Sequence, residues 1–298
     1  MSRRVKNRRV RQLLTLLIAG LFLCGCNKNP SPDDEITTLD YALVGTVEEL
    51  VAFFEDGPQK AQLTNNIDIK KEMLSLKSER GAVYIDGRNY TIKGAGSALI
   101  RLYEGGELHL SNITLDAQQI AIGLLADAKL GGENCTIKSQ NAAIYAAKTL
   151  TIAKSSALSL YSSGGMGITC AGLILEQNAS LSIEAQTVGV DADKEDITLN
   201  SNSSLVTTAK GDNIIHTNGT LTLGEGSILR SINSGDHNAA LVGSLAAQPS
   251  ATLELTGGLN GIGLFVVEQY EDVTVLGFCL PDVRISNGDG SVTFLEEE

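Results

Sequence analysis

Aliphatic side chains recur along this chain at a nearly fixed spacing, and no other feature narrows its possible folds as far. One series reads Ile69, Ile92, Leu115, Ile137, Leu160 and Ile183, with steps of 23, 23, 22, 23 and 23 residues. A companion series two positions earlier in each cycle runs Ile113, Cys135, Leu158, Leu181, Leu205 and Ile228. Side chains at i and i+2 share a face in an extended strand. Two more series interleave with these. One is Leu108, Leu130, Leu150, Leu173, Ile197, Leu221 and Leu253; the other is Ile122, Ile144, Ile168, Val190, Ile215, Leu241 and Leu264. Three short strands in every 23 or so residues are what one coil of a three-sided solenoid needs, each coil stacking on the next about 4.8 Å away.

The pattern predicts an all-β chain built as a single parallel β-helix of about eight or nine coils between Ile69 and Leu264. The competing arrangement is an antiparallel β-sandwich, which also places turns every 8–12 residues. A sandwich does not require one phase to persist for six cycles. Composition leans the same way, with 31 Gly, 5 Pro and 4% aromatic residues. Two irregularities stand out. Arg230 falls where the repeat calls for an inward residue. The 32-residue step from Leu221 to Leu253 implies about eight or nine extra residues, with Asn233–Asn238 and Gln248–Ser250 as the expected bulges and a binding face in prospect.

A solenoid must cover its end coils, or their open strands would pair with another chain. Thr46-Val47-Glu48-Glu49 has the form of a capping box. Leu50, Val51, Phe53 and Phe54 follow before Gly57, so residues 46–56 are expected to form an amphipathic helix over the first coil. The β-helix with this cap spans 46–267, and 268–298 is expected to cover the other end.

The segment before this is of another kind. Arg3, Arg4, Lys6, Arg8, Arg9 and Arg11 precede an apolar run from Leu13 to Leu23, too short to be a stable membrane span. Leu23-Cys24-Gly25-Cys26 then resembles the lipobox of bacterial lipoproteins. That resemblance implies a signal peptide over 1–25, cleavage before Cys26 and lipidation of Cys26, with 26–45 as the lipidated Cys and a flexible tether. An uncleaved signal anchor is the alternative. The implied partner is a lipid bilayer, gripped through acyl chains at about 0.8 kcal/mol per buried CH₂. Asn27 after the cysteine is compatible with an outer membrane, and the outer membrane or cell surface is expected over the inner membrane. Removing the six basic residues of the leader leaves 17 against 35 acidic ones, a net charge of about −18. That balance argues against nucleic acid as a partner.

Val83-Tyr84-Ile85-Asp86-Gly87-Arg88-Asn89-Tyr90-Thr91-Ile92-Lys93-Gly94 resembles the opening coil of pectin-lyase-like β-helices, which implies a right-handed coil over most of the mature chain. Gly211 to Gly219 is similar to turns of bacterial surface β-helix domains that bind carbohydrate. The catalytic patterns of the pectin-lyase-like enzymes are absent, so the reading leans away from an enzyme. A calcium-dependent lyase would need clustered carboxylates and a nearby Arg or Lys. Asp191 and Asp193 share a strand face and offer a weak calcium site; otherwise no cofactor or metal is expected. Asp86 reads as a structural turn residue.

Asp191, Asp193, Asp212, His216, Asp236 and His237 are the candidate ligand-binding residues, with His216 the most interesting of the three histidines. Cys135, Cys170 and Cys279 match no zinc spacing and read as small buried residues. Three functions remain in play. The first is a monomeric, non-catalytic envelope lipoprotein whose β-helix binds glycan or another surface polymer. The others are a structural or adhesive spacer and a polysaccharide lyase or hydrolase with an atypical site. There is no Trp, so any sugar platform would have to use tyrosines, of which Tyr103, Tyr145 and Tyr161 are the candidates.

Overall fold

The computed structural model describes residues 41–103, 106–211, 213–248, 250–257, 264–266, 283–286 and 292–293. The leader, Cys26 and most of the tether lie outside the described residues, as do Asp212 and Cys279. Strand β1 (Tyr41–Val44) comes first, inside the stretch expected to be tether, and pairs in parallel with β2 (Lys60–Leu63). Helix α1 (Val47–Asp56) lies between them. After β2, the chain makes β3 (Ile67–Asp68) and β4 (Leu74–Leu76), which completes one three-sided coil.

Every later coil repeats this order, and each strand pairs in parallel with its equivalent one coil on. Side one continues from β2 through Ala82–Asp86, the first halves of Glu107–Ala117 and Ala128–Ser139, then Thr149–Ile152, Gly172–Leu175 and Ile197–Leu199. Side two continues from β3 through Thr91–Gly94, and side three from β4 through Ala98–Leu102, in the same manner. Eight coils are complete, and a ninth (Ser244 to Val266) is described in part. The parallel β-solenoid expected from the repeat is thus the fold.

Alternation inside each strand explains why these residues make strands. Ala157–Ser162 buries Leu158, Leu160 and Ser162 and exposes Ala157, Ser159 and Tyr161. Stacked over them are Leu181, Ile183 and Ala185. Each inward aliphatic contributes about 1.5–3 kcal/mol on burial, so the core needs no disulfide.

The registers correct three details. Leu221 stacks under Leu245, 24 residues on, and not under Leu253. The supposed insertion is therefore an ordinary coil, and Ala251 N–H donates to Gln248 O at 3.1 Å, as Ser227 N–H does to Gly224 O at the same corner one coil earlier. Leu205 stacks under Leu229, which turns Ile228 outward and puts Arg230 outside, paired with Glu254. Ala240, not Leu241, follows Ile215 inside side three.

The corner between sides one and two carries its own column. Asn89, Asn112, Asn134, Ser155, Asn178, Asn202, Gly226 and Ser250 all have φ between +49° and +70°. Asn tolerates this left-handed region better than other non-glycine residues. Asn134 Nδ2 donates to Asn112 Oδ1 at 3.2 Å, and Asn112 Nδ2 donates to Asp86 Oδ1 at 3.2 Å. Backbone groups tie the column too, Asn178 N–H donating to Ser201 O at 3.1 Å and Asn202 N–H to Glu225 O at 2.9 Å.

Helix α1 forms as its capping box dictates. Glu49 N–H donates to Thr46 Oγ1 at 3.2 Å, and Thr46 N–H donates to Glu49 Oε2 at 3.1 Å. Leu50, Phe53 and Phe54 are buried in one cluster with Leu74 and Leu76. The last turn ends at Gly57, where any Cβ would sit 2.6 Å from Phe53 Cα. Arg80 locks that end, its guanidinium donating to Phe53 O and Pro58 O and lying 5.5 Å from the Phe53 ring centre. At the far end, Val283–Ser286 extends side two in parallel, and Val292–Thr293 pairs back onto it antiparallel.

Side two holds an oddity with a measurable consequence. Its inner column runs Ile183, Thr207, Ser231, Leu255. Ser231 Oγ donates to Ala239 O at 2.8 Å, but Thr207 Oγ1 is buried without a hydrogen-bond partner. An unsatisfied buried hydroxyl costs about 1–3 kcal/mol. Thr207→Val keeps the shape and removes that group, so urea denaturation should show a gain of about 1 kcal/mol. A loss of that size would mean the hydroxyl is bonded in solution.

Cys135 and Cys170 face inward as free thiols, and burial pushes both up to about 12. Asp191 and Glu195 add to the effect at Cys170. Thiol reagents at pH 8 should leave both unlabelled until the chain unfolds. The linkage has a definite sign: a raised folded value favours the protonated folded state. Stability is therefore whole below the ordinary thiol range and falls as pH climbs from about 9 to about 12, by about 1.4 kcal/mol per unit per thiol. Cys135→Ala plus Cys170→Ala should flatten that decline.

Candidate functional site

Outward positions are free of packing constraints, so what lines up there shows what the surface can do. On side one the outward residues form two files, one residue per coil in each. The first is Tyr41, Lys60, Tyr84, His109, Gly131; the second is Leu43, Gln62, Asp86, Ser111, Glu133. Between them runs a groove of about 410 Å³, which Lys154, Ser155 and Ser156 of the fifth coil close off. The files follow the stack of coils, so the groove runs along the solenoid axis.

Tyr84 and His109 form its centre. Their rings stack 4.5 Å apart at 15°, and Tyr84 remains 40% exposed. His109 Nε2 pairs with Glu107 Oε1 at 2.7 Å, which fixes the ring's direction. Gly131 makes the stack possible, because any Cβ there would land on His109 Nδ1. Asp86 anchors the second file, accepting from Arg88 N–H at 3.1 Å, Asn112 Nδ2 at 3.2 Å and Gln62 Nε2 at 3.4 Å. This matches its expected role as a turn residue. The side chains of Lys60 and Glu133 make no hydrogen bond or ion pair among the described residues.

The described residues among those singled out in the sequence do not converge on one site, and Asp212 lies outside them. Asp191 and His216 meet as neighbours on side three, His216 Nδ1 lying 2.8 Å from Asp191 Oδ1. Among the described residues no hydroxyl or thiol engages the other ring nitrogen, so the pair clamps the sixth coil to the seventh. Asp193, at the far end of that strand, holds Asn218 Nδ2 at 3.1 Å through Oδ1. Asp236 and His237 lie exposed on the corner between sides two and three, at the strand's opposite end. Among the described residues, no group of three or more His, Cys, Asp or Glu is placed to hold a metal ion, and no helix is long and apolar enough to cross a membrane.

Of the expected tyrosines, Tyr145 and Tyr161 are exposed, on sides three and two. Nothing in their residue types marks Tyr84 and His109 as a pair in the sequence. The signal that could have joined them is the 25-residue step between them and the further 22 to Gly131, which continues the cycle of the aliphatic series on the opposite face.

No protein-family model, no curated protein and no solved structure matches the chain.

Proposed function

We propose that the processed chain is a non-catalytic lipoprotein of the bacterial cell envelope that binds a glycan in the side-one groove. Anchoring rests on the basic, apolar and Leu23-Cys24-Gly25-Cys26 segments of the leader, with lipid on Cys26 holding the rod at the membrane. Recognition rests on one observation: an exposed aromatic ring lies in an axial groove among hydrogen-bonding groups that the fold has not used. Pockets that take small polar ligands combine such an apolar surface with a few convergent polar groups. Glu133, Lys60, Ser111 and Tyr41 supply those groups, each from a different coil, which suits an extended polymer better than a compact molecule.

The carboxylates around the groove support binding over hydrolysis. Asp86 and Glu107 are already bonded within the fold, which leaves Glu133. Glycoside hydrolysis uses two carboxyl groups across one bond.

The test is a glycan array followed by titration of the best binder. Tyr84→Ala should weaken binding about 30-fold, the effect of losing a contact worth about 2 kcal/mol. Gly131→Ala should weaken it as well, by displacing His109, while the far-ultraviolet circular dichroism spectrum stays unchanged. Silence across acidic and neutral glycans, or full binding by both variants, would overturn the reading.

A further inference from the structure

Two recesses open on the corner between sides two and three, and they differ in what their groups are already doing. The first, of about 420 Å³ over the first four coils, includes Asp68, Lys70, Lys93 and Asp116. Three of its charges, those of Asp68, Lys70 and Lys93, are spent on one another. Asp68 accepts from Lys70 Nζ at 2.8 Å and lies 3.3 Å from Lys93 Nζ. Hydrogen bonds from the Lys70 side chain and backbone hold that carboxyl down at about 2.

The second recess, of about 240 Å³, lies over the fifth to eighth coils and includes Tyr161, Ser163, Glu184, Gln186, Thr208 and Lys210. Tyr161 stacks under Glu184, and Glu184 under Thr208, one per coil. Tyr161 is 41% exposed. The side chains of Glu184, Gln186, Thr208 and Lys210 make no hydrogen bond or ion pair among the described residues. One carboxylate and one ammonium balance, so the recess has no net charge to match a charged ligand. An apolar ring beside an unspent carboxylate, amide, hydroxyl and ammonium is what an uncharged sugar satisfies, its CH face on the ring and its hydroxyls on the polar groups.

We infer a second saccharide site at Tyr161, one that takes an uncharged hexose oligomer. The inference rests on the reading of the protein as a glycan binder and makes it bivalent. Tyr84 belongs to the second coil on side one and Tyr161 to the fifth on side two. Three coil steps separate them, roughly 14 Å along the axis at about 4.8 Å each, and a corner intervenes. One rod therefore holds two sugar chains side by side, and joined sites gain avidity over either alone.

Calorimetric titration of the full-length chain in mild detergent tests this, with cellotetraose, maltotetraose and mannotetraose as separate probes. At least one should bind with a stoichiometry near two, falling to near one in Tyr84→Ala and in Tyr161→Ala alike. Tyr161→Phe keeps the ring and should keep both sites, which separates lost contact from lost fold. Binding that survives Tyr84→Ala but disappears in Tyr161→Ala would uphold the second site and overturn the first. A stoichiometry of one that Tyr84→Ala abolishes and Tyr161→Ala leaves intact would overturn the second site alone. No heat from any of the three probes would also overturn it, while the array still decides whether the Tyr84 groove takes a charged glycan.

Discussion

Leu181→Asp should abolish cooperative folding, whereas Ser182→Asp, one residue later on the same strand, should shift the melting temperature by a few degrees at most. Leu181 is fully buried between Leu158 and Leu205, and Ser182 points to solvent. An unpaired carboxylate in that column has no partner among aliphatic neighbours, and burying it costs several kcal/mol at least. Whole domains are stable by only about 5–15 kcal/mol. Because each coil touches only its neighbours, the damage should start at the fifth to seventh coils and spread along the stack. Circular dichroism melts and soluble yield measure this. Equal melting temperatures for the two variants would contradict the alternation on which the fold depends.

Phe53→Ala carries the second large effect, an expected loss of about 3–5 kcal/mol. Its ring is buried under the helix, 5.6 Å from Phe54 at 90°, with the Arg80 guanidinium beside it. Truncation removes the contact area, leaves a cavity and unseats Arg80 from the end of the helix. It also loosens the cover over the first coil, and open parallel strands invite pairing with another chain. The variant should therefore unfold at lower urea and scatter more light on warming. Thr46→Ala serves as a graded control, since losing one half of the capping box costs about 1 kcal/mol. A Phe53→Ala midpoint within error of the native chain would show that the helix is not the cap described above.

Much of this architecture is legible in the residues. The helix is readable since its capping box, apolar face and terminal glycine fall within a dozen positions. The three inner columns are readable where each coil brings a large aliphatic, as in Leu115, Ile137, Leu160 and Ile183. Legibility fails where the interior uses something else. Thr207 and Ser231 replace aliphatics in one inner column of side two, and in the other Ile228 sits directly beside Leu229, so spacing alone does not tell which of the two follows Leu205. Ala240 is inconspicuous beside Leu241, and Leu253 competes with Leu245 for the place after Leu221, which makes a regular coil resemble an insertion.

The groove was harder to see for a different reason. Lys60, Tyr84, His109 and Gly131 share nothing chemically, so no residue type repeats to mark the file. Burial selects for one class of side chain and leaves a periodic record, while an outward file is recorded only by position. The asparagines are the exception. Asn89, Asn112, Asn134, Asn178 and Asn202 occupy one left-handed corner and repeat because the backbone there excludes most other side chains. That column alone fixes the register of every coil between them, and the outward files with it.

Everything said of the surface depends on neighbouring coils pairing in parallel at a constant offset, and paired cysteines test that directly. Ala157 lies opposite Ser180, and Tyr161 opposite Glu184. Parallel neighbours about 4.8 Å apart are within the reach of a disulfide. Introducing cysteines at 157 and 180, or at 161 and 184, should therefore give an intramolecular disulfide under mild oxidation. Cysteines at 157 and 184 should give none. The opposite outcome, with 157 joined to 184 and neither in-register pair joined, would mean that these strands run antiparallel and that the solenoid is wrong.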